Sequence, residues 1–366
     1  MVEQKKDDQN NYIKVITKLI NVIIVLLLVI LTLAVLLCKY LPNYIPEPDN
    51  KVAIAQPDSN GLFTDAAKQQ ALIHSDTTHY WNAPNEATIL NPEKELIMYG
   101  KDLIAHTALY FGTQGKIFKN NTNGMNCQNC HLEAGTKVYG NNYSAVLATY
   151  PKYRARSGSI ENIYKRVNDC FERSLNGKAI DTLSKEMQAI VAYIQWLGKG
   201  VPKGKKPAGS GFKDLAFLNR AANVDNGKKI YTDKCQSCHQ ANGDGKLNSE
   251  QTEFAYPPLW GHQSYNDGAG LYRLSNFAKF VKYNMPQGAS HNNTQLTDEE
   301  AWDVAAFVNS QPRPKKNSTK DWPKINEKPF DHPFSPYTDG FDETQHKYGP
   351  FKQIKDKLAS LNNAKK

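Results

Sequence analysis

Residues 127–131 read "CQNCH" and residues 235–239 read "CQSCH". Two cysteines with two residues between them and a histidine directly after form the pattern that attaches a c-type haem. The thiols add to the vinyl groups and the histidine becomes the proximal iron ligand. The pattern assigns Cys127, Cys130 and His131 to one covalently bound haem c, and Cys235, Cys238 and His239 to a second. A four-cysteine zinc site built from both pairs, or a thioredoxin-like disulfide, would leave the histidine after each pair unexplained.

The segments around the two motifs repeat loosely. "ELIMYGKDLI" precedes the first and "VDNGKKIY" the second. After the first, "LSKEMQAIVAYIQWLG" sets Met187, Ile190, Val191, Ile194 and Leu197 at helical spacing, with Ser184 as N-cap. After the second, "LTDEEAWDVAAFVNSQ" offers Thr297 and Glu300 as a capping box. No run alternates well enough for a sheet. The expected fold is all-α, with two small haem domains covering 61–200 and 201–312. The Gly-, Pro- and Lys-rich stretch "GKGVPKGKKPAGSGFK" (198–213) reads as the linker between them. Residues 313–366, "RPKKNSTKDWPKINEKPFDHPFSPYTDG" and onward, read as an irregular C-terminal extension wrapped over the body.

The N-terminus sets the compartment. Leu19 to Cys38 is apolar apart from Asn21 and Thr32. At 1.5 Å per residue it reaches about 30 Å, the thickness of a bilayer core. Lys5, Lys6, Lys14 and Lys18 precede it, which keeps the start of the chain cytoplasmic. "VLLC" lacks the small residues that signal cleavage favours, so residues 1–40 are expected to be a tail and uncleaved transmembrane anchor. Residues 41–60, rich in proline and polar residues, read as a stalk, and the rest is expected in the periplasm. The formal charge is +9, of which residues 1–38 contribute little, with four lysines and three acids. Four haem propionates offset part of it. No helix-turn-helix, zinc-finger or RNA-recognition pattern points to nucleic acid.

Each iron has a sixth position to fill. "FVKYNMPQGA" presents Met285 before a proline, 46 residues beyond His239, and a thioether there suits His/Met coordination. Lys282, His262 and His291 are weaker candidates. In the first half Met187 belongs to an apolar stripe and reads as core. Cys170, 39 residues beyond His131, has no pairing partner. It lies in "ENIYKRVNDCFERSLNG", which reads as a helix ending at Gly177. Ile163, Val167 and Phe171 form a buried stripe. Arg166, Cys170 and Ser174 share the next one, which puts a guanidinium, a thiol and a hydroxyl on one face. A thiolate is a strong, soft iron ligand, and Cys170 is the expected sixth ligand of haem 1.

With these residues in place, the sequence resembles the thiosulfate dehydrogenase (tetrathionate synthase) family of dihaem c-type cytochromes. The resemblance covers nearly everything after about residue 60. It rests on "YRARSGS", "RVNDCFERSLNGKAI", both haem motifs, "NMPQGA", and the tail segments "KDWP", "KPFDHPFSPYTDGF" and "QHKYGPF". It implies two cytochrome c-like domains, with a His/Cys haem at the active site and a His/Met haem as electron exit. It implies that Arg156, Arg166, Cys170 and Ser174 surround the substrate. The expected reaction couples two thiosulfates into tetrathionate, or runs in reverse, with a periplasmic c-type cytochrome as electron partner. Some members carry a lysine beside the haem 2 methionine, where this chain has Asn284, so a Lys/Met exchange would fall to Lys282. A non-catalytic dihaem carrier and a haem subunit of a larger sulfur-oxidising complex are the alternatives.

Overall fold

The computed structural model describes residues 17–29, 32–33 and 80–363. Residues 17–29 are helical and expose their apolar side chains. Among the described residues no helix is long and apolar enough to cross a membrane. Residues 30–31 and 34–38 of the expected anchor, the stalk, and residues 61–79 lie outside the described residues.

Two helix pairs organise the remainder, each closed by a glycine. α1 (Glu93–Ala105) crosses α3 (Lys185–Leu197), and a Cβ on Gly100 would sit 1.9 Å from the Ala189 carbonyl oxygen. In the second half α4 (Val224–Lys234) crosses α6 (Asp298–Ser310), and a Cβ on Gly227 would meet the Asp303 carbonyl oxygen at 1.9 Å. Only glycine permits either approach. The repeat read from the sequence is therefore a repeated helix crossing. Each pair carries its own core. Leu103, Ile104, Phe111, Phe171, Met187, Ile190 and Leu197 fill the first. Tyr231, Leu274, Phe277, Trp302, Val304 and Val308 fill the second.

The caps fall where local sequence puts them. Ser184 accepts from the Met187 N–H, and Thr297 and Glu300 cap each other reciprocally. α2 (Ile163–Arg173) starts at the Asn162 cap. It ends earlier than expected: the left-handed residue is Asn176, with φ 43°, rather than Gly177. α5 (Leu274–Asn284) runs into Met285, whose extended backbone turns the chain out of the helix.

Two expectations need correction. The fold is mostly helical but includes two short antiparallel hairpins, β1 (Lys152–Arg154) with β2 (Ser159–Glu161), and β3 (Lys246–Leu247) with β4 (Phe254–Tyr256). Strands of two or three residues are too short for a period of two to show in sequence. The tail is not irregular throughout either. It contains α7 (Glu343–Tyr348), capped by Asp342, and α8 (Phe351–Asn363). Phe351 and Ile354 bury in the second core, Phe351 lying 5.5 Å from the Trp302 ring. Between residue 313 and α7 the tail does wrap over the body: Asp321 pairs with Arg173 at 2.8 Å, and Trp322 N–H donates to the Arg156 carbonyl at 2.7 Å.

Candidate functional site: two haem cavities and an arginine-bound thiol

Each CxxCH motif lines a cavity of about 520 Å³, within the range of cofactor pockets. The pairs belong to different cavities, with Cys130 on the wall between them, and among the described residues no cluster of metal-ligating side chains forms. His131 Nδ1 lies 2.6 Å from the Asn141 carbonyl oxygen, and His239 Nδ1 lies 2.8 Å from that of Pro257. A carbonyl only accepts, so in each ring Nδ1 carries the proton and Nε2 keeps its lone pair for a metal. Burial pushes His131 down to about 4 and lowers His239 as well, which keeps both rings neutral. The residues present therefore fit two c-type haems: thiols to attach each one and a pre-oriented imidazole to ligate it.

α2 delivers the sulfur to the first cavity. Arg166, Cys170 and Ser174 all line it, together with Val167 and Phe171 from the neighbouring stripe. Arg166 Nη1 donates to Cys170 Sγ at 3.1 Å, the i,i+4 contact of one helical face. The sulfur beside it is the main cause that raises the Arg166 pKa. Arg156 stands apart. It lines a smaller neighbouring cavity with Asp321 and His332, donates from Nη1 to the Gly268 carbonyl at 2.9 Å, and faces the Trp322 ring at 5.5 Å. Its Nε is buried without a partner. Burial and the nearby Arg173 push its pKa down to about 10.

In the second cavity Met285 lies in the wall with Cys235, Cys238 and His239, among Leu271, Phe277 and Val281. Lys282 is turned away and committed. Its ammonium donates to the Leu296 carbonyl at 2.6 Å and pairs with Asp298 at 2.8 Å. His262 is exposed, and His291 packs edge-on against Tyr80 and Tyr139; neither lines the cavity. Asn284, the residue before Met285, donates to the Tyr139 carbonyl at 3.2 Å. Met187 is fully buried in the first core, as expected.

The two cavities share a wall made by Met125, Asn126 and Cys130. Glu253, in the second cavity, accepts from Asn126 Nδ2 and from His106 Nδ1, each at 2.9 Å, which clasps the halves together there. Lys152, Arg154 and Lys206 also line the Cys170 cavity and were not singled out from the sequence. The i,i+2 spacing of Lys152 and Arg154 was the available signal, but nothing in sequence places the linker residue Lys206 beside them.

Comparison with known proteins agrees with this geometry. Residues 115–202 match the model of the SoxA/TsdA cytochrome c domain, and residues 224–312 match that of cytochrome c. A thiosulfate dehydrogenase from Psychrobacter arcticus is 41% identical over 245 residues, covering 66% of this chain and 71% of the relative. One from Allochromatium vinosum is 41% identical over 196 residues, 52% of this chain and 71% of the relative. The solved thiosulfate dehydrogenase TsdBA of Marichromatium purpuratum, in its as-isolated form, superposes with a TM-score of 0.59 at 30% identity. The match covers 65% of this chain and half of that one. With two haem cavities, a lone arginine-bound thiol in one of them, and these relatives, the chain belongs to the thiosulfate dehydrogenase family.

Proposed function

We propose that the chain oxidises thiosulfate as a dihaem cytochrome c, coupling two thiosulfates into tetrathionate with release of two electrons. The observation that carries this reading is the 3.1 Å contact between Arg166 and Cys170 inside the cavity that holds the first haem motif. The haems supply one-electron acceptance and transfer. All other steps fall to side chains of this chain.

Both substrates are dianions. Two unit charges about 4 Å apart repel by about 4 kcal/mol at an effective dielectric near 20, and two dianions by about four times that. Arg166 offsets this with a planar fork that matches sulfonate oxygens, and Ser174 adds a hydroxyl donor. Arg156, committed to Gly268, contributes positive charge from the adjacent cavity.

Cys170 has two roles in the proposal. As a thiolate it would help hold haem 1 by ligating its iron. Released, its sulfur bonds to the terminal sulfur of one thiosulfate, giving a Cys–S–S–SO₃⁻ adduct and two electrons. The terminal sulfur of a second thiosulfate then attacks the adduct's sulfane sulfur. The Cys170 thiolate leaves, and tetrathionate forms with charge balanced. The reverse sequence reduces tetrathionate. Met285 would hold haem 2 as a ligand to its iron, and that haem would supply the electron exit to a periplasmic c-type cytochrome. Leu19–Cys38 is retained as an anchor that holds the body on the periplasmic face.

The test is an assay of the purified holoprotein with thiosulfate plus an artificial acceptor, and with tetrathionate plus a donor. Tetrathionate should form stoichiometrically, one per two thiosulfates; oxidation to sulfite or sulfate instead would overturn the reading.

A further inference from the structure

The wall of the Cys170 cavity carries more positive charge than the reaction centre uses. Lys152, Arg154, Arg166 and Lys206 all line it. Arg166 is engaged by Cys170. Asp214 is the one acid among the lining residues, and it is held by Lys279 at 2.7 Å. Among the described residues Arg154 pairs with Glu161 at 3.8 Å, the residue opposite Lys152 in the hairpin, which leaves one carboxylate against three cations. Burial and three cations, Arg154, Lys206 and Arg166, together lower the Lys152 pKa. Crowding of this kind is unfavourable unless an anion completes the cluster.

A c-type haem brings that anion. Its vinyl groups would be bonded to Cys127 and Cys130, leaving its two carboxylates to pair with cations elsewhere in the lining. We propose that Lys152, Arg154 and Lys206 form a cationic clamp for the carboxylates of haem 1, with Lys206 supplied by the linker between the two domains. This rests on the two-haem reading above.

The clamp is built on fixed supports. Lys152 and Arg154 sit at i and i+2 on β1, so they share a face of the hairpin. The linker is fastened along its length to the first domain. Lys203 Nζ donates to the Tyr150 carbonyl at 2.5 Å, and Gly204 N–H to that of Ala148 at 2.7 Å. Tyr139 N–H donates to the Gly209 carbonyl at 2.7 Å, and Asn141 N–H to that of Gly211 at 3.0 Å. Lys206 lies between these points, exposed and at the edge of the cavity that it lines. The segment that looks like a connector in sequence is thus a wall of the haem 1 site.

Cations of this kind also attract a free sulfur dianion, and the experiment separates the two anions. Lys206→Gln, Lys152→Gln and the double variant are made in the full-length holoprotein, with Lys205→Gln as the control, since Lys205 is exposed and does not line the cavity. Haem content of the parent is measured first, so that a failure of the two-haem reading shows separately. Spectroelectrochemical titration then resolves the two haems. A cation at the carboxylates favours the more negative, reduced haem. Each variant should therefore lower the haem 1 potential, the double most, with haem 2 and the Lys205→Gln control unchanged. Lys206→Arg should restore the parent value. An unchanged haem 1 potential overturns the clamp. In that case a several-fold rise in the KM for thiosulfate assigns the cations to the substrate, and an unchanged KM assigns them to neither anion.

Discussion

Asn141 accepts the Nδ1 proton of His131 at 2.6 Å while its own N–H is held at 3.0 Å by the carbonyl of Gly211. The inter-domain linker therefore positions, at one remove, the imidazole proposed as the ligand of haem 1. Gly211 has φ +67° and open space where a Cβ would go, so Gly211→Ala meets backbone strain without a clash. That strain costs about 1–2 kcal/mol. Gly340, with φ +86° and equally open, lies outside the linker and is the matched control. Gly211→Ala should alter the haem 1 potential and proximal-ligand spectrum, whereas Gly340→Ala should lower stability comparably and leave both unchanged.

A second prediction concerns pH. His332, in the tail beside Arg156, is pushed from its ordinary 6.5 down to about 3, first by burial and then by Lys328. The folded chain therefore resists protonation that the unfolded chain accepts. Above about pH 6.5 the group is neutral in both states and its contribution is complete. Below that the unfolded state binds the extra proton, and stability falls as pH drops towards 3, by about 1 kcal/mol per unit. His332→Gln should flatten the decline in melting temperature between pH 6 and 4. A pH profile that matches the parent would show that other groups govern the loss.

The parts of the fold visible in sequence are those fixed by local chemistry. The haem motifs, the Ser184 and Thr297 caps and the α2 stripe each need only a few neighbouring residues. Helix α8 has the same kind of pattern, Phe351, Ile354 and Leu358 at helical spacing, but the proline-rich stretch ahead of it hides it. What sequence does not show is set by tertiary contact. Arg156 is only three residues from the hairpin's Tyr153, yet its guanidinium is drawn to Gly268, 112 residues away, and out of the Cys170 cavity. Lys206 enters that cavity because the linker is pinned to Ala148, Tyr150 and Tyr139, contacts that no spacing rule encodes.

For haem 2, a thioether favours the reduced iron, so Met285→Gly should lower that haem's potential and slow electron exit. Reduction of haem 1 by thiosulfate should stay close to the parent rate. Lys282 is tied to Leu296 and Asp298, so Lys282→Met should leave the haem 2 spectrum unchanged in both oxidation states. A changed oxidised spectrum in Lys282→Met would instead show that the lysine reaches the iron.

The last prediction concerns the thiol. Cys170 is proposed as both the sixth ligand of haem 1 and the sulfur that carries substrate. Cys170 is half-buried, and the Arg166 guanidinium at 3.1 Å places a positive charge against its sulfur. Cys170→Gly should still carry two haems, because attachment uses only Cys127, Cys130, Cys235 and Cys238. It should lose the thiolate-ligated low-spin signal and nearly all turnover in both directions, a drop of about 10³-fold or more if the covalent step is essential. Cys170→Met separates the roles, since it restores a soft sulfur ligand that is not a nucleophile. A low-spin Cys170→Met variant without turnover supports the adduct. Near-parent turnover in the same variant removes the covalent role and leaves the ligand role standing. A Cys170→Gly variant whose haem 1 spectrum is unchanged removes the ligand role as well, and Cys170 then serves only to pack α2 against the cavity.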